Sequence, residues 1–232
     1  MAKLKNKFFG EISGKFGDAI FKQMGSSNYI STYPRKYNRT NSIDHQNRIN
    51  RFIQASKFSS AVSSLPELKH FWDISNNNSS NVYNSIMRKS LKLLNQGHPI
   101  TNLKITPEKG FGAMVSDYNL IKERLIVRLA PLTERSGINT NIETNIKLIS
   151  VFNPYQSSQN LPDYEYFANF STNYTIDLNN PIELTITLST AQSNLIEQYS
   201  KCIVYNTLVT SNNEDMLINY ANTFSSDLVV KI

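Results

Sequence analysis

The chain has 232 residues, 40% of them apolar and 18% charged, with a formal net charge of +6. That length is enough for a real hydrophobic core, either in one large all-β domain or in a smaller domain with an appendage. A single cysteine, Cys202, excludes an internal disulfide and a cysteine-based metal cluster, and no run approaches the roughly 18 apolar residues that cross a bilayer as a helix.

Asn, Ser and Thr fill the place of charged residues, which gives a polar but weakly charged surface suited to turn-rich β structure or a packed assembly. The charge is unevenly spread. Residues 1–60 hold eleven Lys/Arg and three acids, a net +8, which leaves −2 for the other 172 residues. A basic segment on a slightly acidic body points to an arm that meets something negative, either nucleic acid or a neighbouring copy. The basic N-terminus is followed by no apolar stretch or cleavage site, so the expectation is cytoplasmic synthesis without a signal peptide and no membrane insertion, with a virion or other particle as a destination.

In chain order, residues 1–40 read as a glycine-hinged arm. "DAIFKQM" and "NYISTYP" alternate at period two around the turn residues "GSSN", which predicts a hairpin. Between 41 and 97 the period changes. Ile49, Phe52, Ile53, Phe58, Ala61, Val62 and Leu65 follow helical spacing, Pro66 restarts the helix, Asn81 caps a further one, and Gly97 stands where that one should end. Two or three helices are expected there.

From 98 to 232 the candidate strands are 101–106, 120–130, 143–152, 164–176, 181–189, 200–210 and 215–231, the last open to a split. Their number and spacing fit a seven-strand antiparallel sandwich of immunoglobulin or fibronectin type, although a Cys–Trp–Cys core is absent. The fold class is therefore mainly β with a helical segment (α+β): an N-terminal hairpin arm, two or three helices, and an immunoglobulin-like antiparallel β-sandwich. Cys202, inside "KCIVYNTLV", reads as a buried structural thiol.

The glycines of "GEISGKFG" do not make a phosphate loop. Such a loop needs four residues between its glycines and a hydroxyl after the lysine, whereas Gly10 and Gly14 enclose three and Phe16 follows Lys15. "GFG" at 110–112 lacks a third glycine and a βαβ setting. His45, His70 and His98 form no ligand pair, and no nucleophile elbow occurs. No catalytic residue, cofactor or metal is expected.

The strongest functional feature is the arm, where aromatic and cationic side chains interleave. The residues expected to contact a partner are Gly14, Lys15, Phe16, Gly17, Phe21, Tyr29, Tyr33, Arg35, Lys36 and Arg39. Two readings stay open. In one, a non-enzymatic structural subunit docks its arm on other copies or other particle subunits, its hairpin adding to a partner sheet. In the other, residues 1–60 bind nucleic acid through phosphate contacts and base stacking.

Gly10, Ser13, Gly14, Lys15, Gly17 and Ile20, then Tyr33-Pro34-Arg35, Ser42, Gln46 and Arg51-Phe52 occur in the order of a longer pattern. Over roughly residues 8–60 the chain resembles an uncharacterised bacterial and phage-associated family common in Bacteroidota, with Asp18-Ala19 where that family carries a small or apolar pair. The resemblance implies an N-terminal motif region, a C-terminal β-sandwich and no known catalytic activity.

Overall fold

The structure is a computed structural model. It describes residues 2–4, 14–24, 27–32, 42–76, 81–94, 100–121, 123–133, 136–155, 165–199 and 201–230. The chain divides into two compact units, Met1–Ser42 and Ile43–Ile232.

The first unit is a four-stranded antiparallel sheet: β1 (Ala2–Leu4), β2 (Gly14–Phe16), β3 (Ala19–Met24) and β4 (Ser27–Thr32), in the order β1-β4-β3-β2. The alternating runs pair as the hairpin β3–β4. Met24 lies opposite Ser27, so the connection is two residues long rather than the four of "GSSN". The arm is also more than that hairpin, because β1 and β2 add a strand at either side. Phe16 lies opposite Ala19, so Gly17 and Asp18 make a second two-residue turn. Gly17 has φ +57, a left-handed conformation that glycine adopts without steric cost and that tight hairpins need.

The second unit opens with α1 (Ile43–Ser63), α2 (Pro66–Ser75) and α3 (Val82–Leu93). Pro66 occupies the first turn of α2, where its missing N–H does no harm. The Asn81 side chain accepts from the Tyr83 N–H at 2.9 Å and caps α3. Leu94 is already extended, so α3 ends short of Gly97, which lies outside the described residues.

The expected strand at 101–106 is a run of turns. Its backbone polar groups are satisfied without a ladder. Thr223 Oγ1 accepts from the N–H groups of Ile105 and Thr106 at 3.0 and 3.1 Å, and the Trp72 indole donates to the Ile105 carbonyl at 2.9 Å.

The strands that follow are β5 (Val115–Ile121), β6 (Arg124–Leu129), β7 (Asn145–Tyr155), β8 (Phe167–Phe170), β9 (Tyr174–Thr175), β10 (Ile182–Thr187), β11 (Lys201–Ser211), β12 (Leu217–Tyr220) and β13 (Phe224–Val229). The expected strand at 120–130 is thus parts of two, turning near Glu123, and the expected last strand is split in two. One helix, α4 (Thr190–Glu197), was not expected, although its capping box, Ser189 with Gln192, can be read in "STAQ".

These elements form three layers. β5, β6 and β10 make a small sheet, while β7 and β11 pair over their whole length at the centre of a larger one. β12 and β13 both lie on the free side of β11, and β8 and β9 both lie on that of β7. Alternate residues of β7 and β11 face opposite ways. Ile149, Val151, Ile203, Tyr205 and Val209 pack with α1, α2 and α3 around Phe58, Leu68, Trp72 and Ile86. Ile146, Leu148, Phe152, Val204 and Leu208 pack with Leu125, Val127, Leu184 and Ile186 of the small sheet. Helices and strands therefore share their cores within one β-rich α+β unit.

Cys202 lies inside the second of these cores. Burial pushes its thiol far above the ordinary cysteine range, which disfavours the reactive thiolate. A water-soluble disulfide reagent is expected to leave Cys202 untouched in the native protein and to modify it after denaturation. Rapid native labelling would contradict this packing.

Candidate docking surface of the N-terminal unit

Strand register sorts the side chains of the first unit, because residues directly opposite in an antiparallel pair project from the same face. Lys15 lies opposite Ile20, Ile20 opposite Ser31, and Lys22 opposite Tyr29. One face therefore carries Lys15, Ile20, Lys22, Tyr29 and Ser31. Phe16 lies opposite Ala19, Phe21 opposite both Gly14 and Ile30, and Ala19 opposite Thr32. The other face therefore carries Phe16, Ala19, Phe21 and Ile30, together with Gln23, Asn28 and Thr32.

Of the expected contact residues, Gly14, Lys15, Phe16, Gly17, Phe21 and Tyr29 fall on this sheet, and Tyr33, Arg35, Lys36 and Arg39 lie outside the described residues. The expectation grouped cations and aromatics into one surface. The sheet separates Phe16 and Phe21 from Lys15, and the aromatic Tyr29 stays on the lysine side. Lys22 and Ile30 were not singled out beforehand. Their signal is the cross-strand register, which follows once Met24 is paired with Ser27.

From Gly14 to Gln23 and from Asn28 to Thr32 the sheet buries no apolar side chain fully. Phe16 is 80% exposed, and Ala19, Ile20, Phe21, Tyr29 and Ile30 are half-buried. Residues 1–42 also contain eight Lys/Arg against two acids, which equals the whole net charge of the protein, while residues 43–232 balance at sixteen and sixteen. The negative surplus expected of the body thus disappears once the boundary is taken at the structural division.

In the second unit, several polar side chains hold the structure together. The Glu67 carboxylate meets Lys147 at 3.0 Å, and that ammonium also lies 4.9 Å from the Phe170 ring centroid, which ties α2 to β7 and β8. Buried Glu143 accepts from the Asn139 N–H at 2.9 Å and from the Thr210 hydroxyl, closing the 139–143 turn onto β11. Between the two sheets, Ser150 donates to Asn206. Burial pushes the Tyr118 hydroxyl up to about 12, while its hydrogen bond with Asn206 acts in the opposite sense.

Among the described residues no three His, Cys, Asp or Glu side chains are placed to hold a metal ion, and no helix is long and apolar enough to cross a membrane. No family model matches the chain, and no curated protein or solved structure matches it. Function must therefore be argued from the surfaces themselves.

Proposed function

We propose that this protein is a non-enzymatic structural subunit of a large particle, of the phage virion kind, and that its N-terminal unit docks on neighbouring subunits. The observation that carries this reading is the four-stranded sheet with a largely apolar face, on which Phe16 is exposed and Ala19, Phe21 and Ile30 are only half-buried. A sheet with one apolar face gains its stability by covering that face with another layer. The resemblance of residues 8–60 to a phage-associated family belongs to the same proposal.

The immunoglobulin-like description of the body is also part of it. What supports that description is the pairing order. With β5, β6, β7, β10 and β11 taken as strands A, B, C, E and F, the small sheet has the order A-B-E, and β12/β13 takes the place of G beside F. β8/β9 then takes the place of C′ beside C. An isolated parallel bridge pairs Phe111, just before A, with Ala221, between the two strands that take the place of G, which supports the same description.

A second reading, nucleic-acid binding, draws on the Lys15–Lys22–Tyr29 face and on the +6 charge of residues 1–42.

Light scattering after size exclusion, with absorbance at two ultraviolet wavelengths, tests both readings. The full chain is expected to form nucleic-acid-free oligomers at high concentration, and deletion of residues 1–42 or Phe16→Glu is expected to weaken them. A monomer carrying nucleic acid that salt removes, and that Lys15→Ala/Lys22→Ala fails to carry, would favour the second reading. A strict monomer whose first 42 residues resist protease would overturn the first.

A further inference from the structure

Beside α3 the body has a cleft of about 250 Å³ lined by Lys89, Lys92 and Lys104, with Glu108 as its one acidic wall residue. Lys89 and Lys92 are three residues apart on a helix and so are neighbours on its surface, where like charges repel. Lys104 adds a third cation from the turn segment. Among the described residues none of the three pairs with a carboxylate. The negative end of the α3 dipole explains a cation at Lys92, in the last turn, but it explains neither Lys89 nor Lys104.

The cleft is built on fixed walls. The Lys89 ammonium lies 4.7 Å from the centroid of the Trp72 ring. Trp72 is itself 1% exposed and holds the Ile105 carbonyl through its indole N–H. At the floor, Ser90 donates to Ile86 within α3, and the Thr106 hydroxyl is 2.9 Å from that of Thr223. The hydroxyls are thus committed to structure, and the lysines remain as donors to a ligand. Three lysines lining one concavity match an oxyanion with several acceptor oxygens.

We propose that this cleft binds a phosphate group, carried either by a small phosphorylated ligand or by a nucleic-acid backbone. The site lies wholly in the second unit and is independent of the docking surface proposed above, so either can fail alone.

Trp72 is the only tryptophan, so its emission reports directly on Lys89. The full chain is titrated with tripolyphosphate and, separately, with a twelve-residue oligothymidylate, each against sodium chloride at matched ionic strength. A saturable change in Trp72 emission beyond the salt control is expected with at least one probe. Lys92→Glu/Lys104→Glu should weaken that response by roughly tenfold or more, because it reverses two of the three charges. Lys92→Gln/Lys104→Gln should weaken it less and serves in its place if the reversal does not fold. Arg124→Glu, an exposed cation on β6 outside both proposed surfaces, should leave it unchanged. Response to tripolyphosphate alone identifies a small phosphorylated ligand, and tighter response to the oligonucleotide identifies a backbone. A response no different from salt, or one that survives the charge changes at the cleft, overturns the proposal.

Discussion

Phe58→Ala is expected to destabilise the protein by about 3–5 kcal/mol, the range for emptying a fully buried aromatic site. Phe58 is 0% exposed where α1 meets the large sheet, and it makes edge-to-face contacts with Tyr166 and Tyr205 at ring-centroid distances of 5.6 and 5.5 Å. Those pairs contribute beyond the area they bury. The site cannot collapse easily, because its neighbours are held by hydrogen bonds. Gln54 and Asn153 each donate to the Tyr166 hydroxyl at 3.2 Å, and Tyr205 donates to the Ile100 carbonyl at 2.6 Å. Urea unfolding followed by circular dichroism measures the loss. A change below about 1 kcal/mol, the scale of an ordinary surface substitution, would mean that α1 is not packed as described.

Gly110→Ala is the second large effect. A Cβ at Gly110 would stand 2.6 Å from the Ala221 carbonyl carbon and the Asn222 nitrogen and 2.7 Å from the Tyr220 oxygen, all of them backbone atoms. Relief requires the two segments to separate. That would disturb Phe111 N–H to Tyr220 O at 2.9 Å, Asn222 N–H to Phe111 O at 2.8 Å, and the paired bonds between Gly110 and the Asn222 amide at 3.0 and 2.7 Å. Overpacking alone costs about 1–3 kcal/mol, and each hydrogen bond lost adds about 1 kcal/mol. Gly112→Ala is the control, since a Cβ there meets nothing within 4 Å. Thermal melting should separate the two variants clearly, and equal melting temperatures would mean that the two backbones do not approach closely at Gly110.

Both effects bear on function through the body. Gly110 permits the parallel bridge where the 100–111 segment meets the link between β12 and β13, and that segment supplies Lys104 to the lysine cleft. Phe58 anchors the helical layer to which α3, with Lys89 and Lys92, belongs. Loss of either packing contact should therefore loosen the cleft while leaving the strand register of the first unit unaffected.

Local periodicity was enough to place α1 through α3, the β3–β4 hairpin and most strands of the body, because a segment that buries one face must repeat its apolar residues at the period of its backbone. The division of the arm into a lysine–tyrosine face and a phenylalanine–isoleucine face was latent in the same alternation. It became readable only with the register, since a shift of one residue exchanges the two faces.

The rest depended on contacts between residues distant in the chain. β1 and β2 are three residues each and gain strand structure from the hairpin they flank. Residues 101–106 have the look of a strand but find their partners in Thr223 and Trp72. The lysine cleft joins Lys89 and Lys92 of a helix to Lys104 of a turn, and Gly110 meets Ala221 across more than a hundred residues. The amino-acid order by itself determined which faces are apolar and where the backbone can turn. Only the tertiary structure decided which faces meet, because that choice depends on long-range packing that no local period encodes.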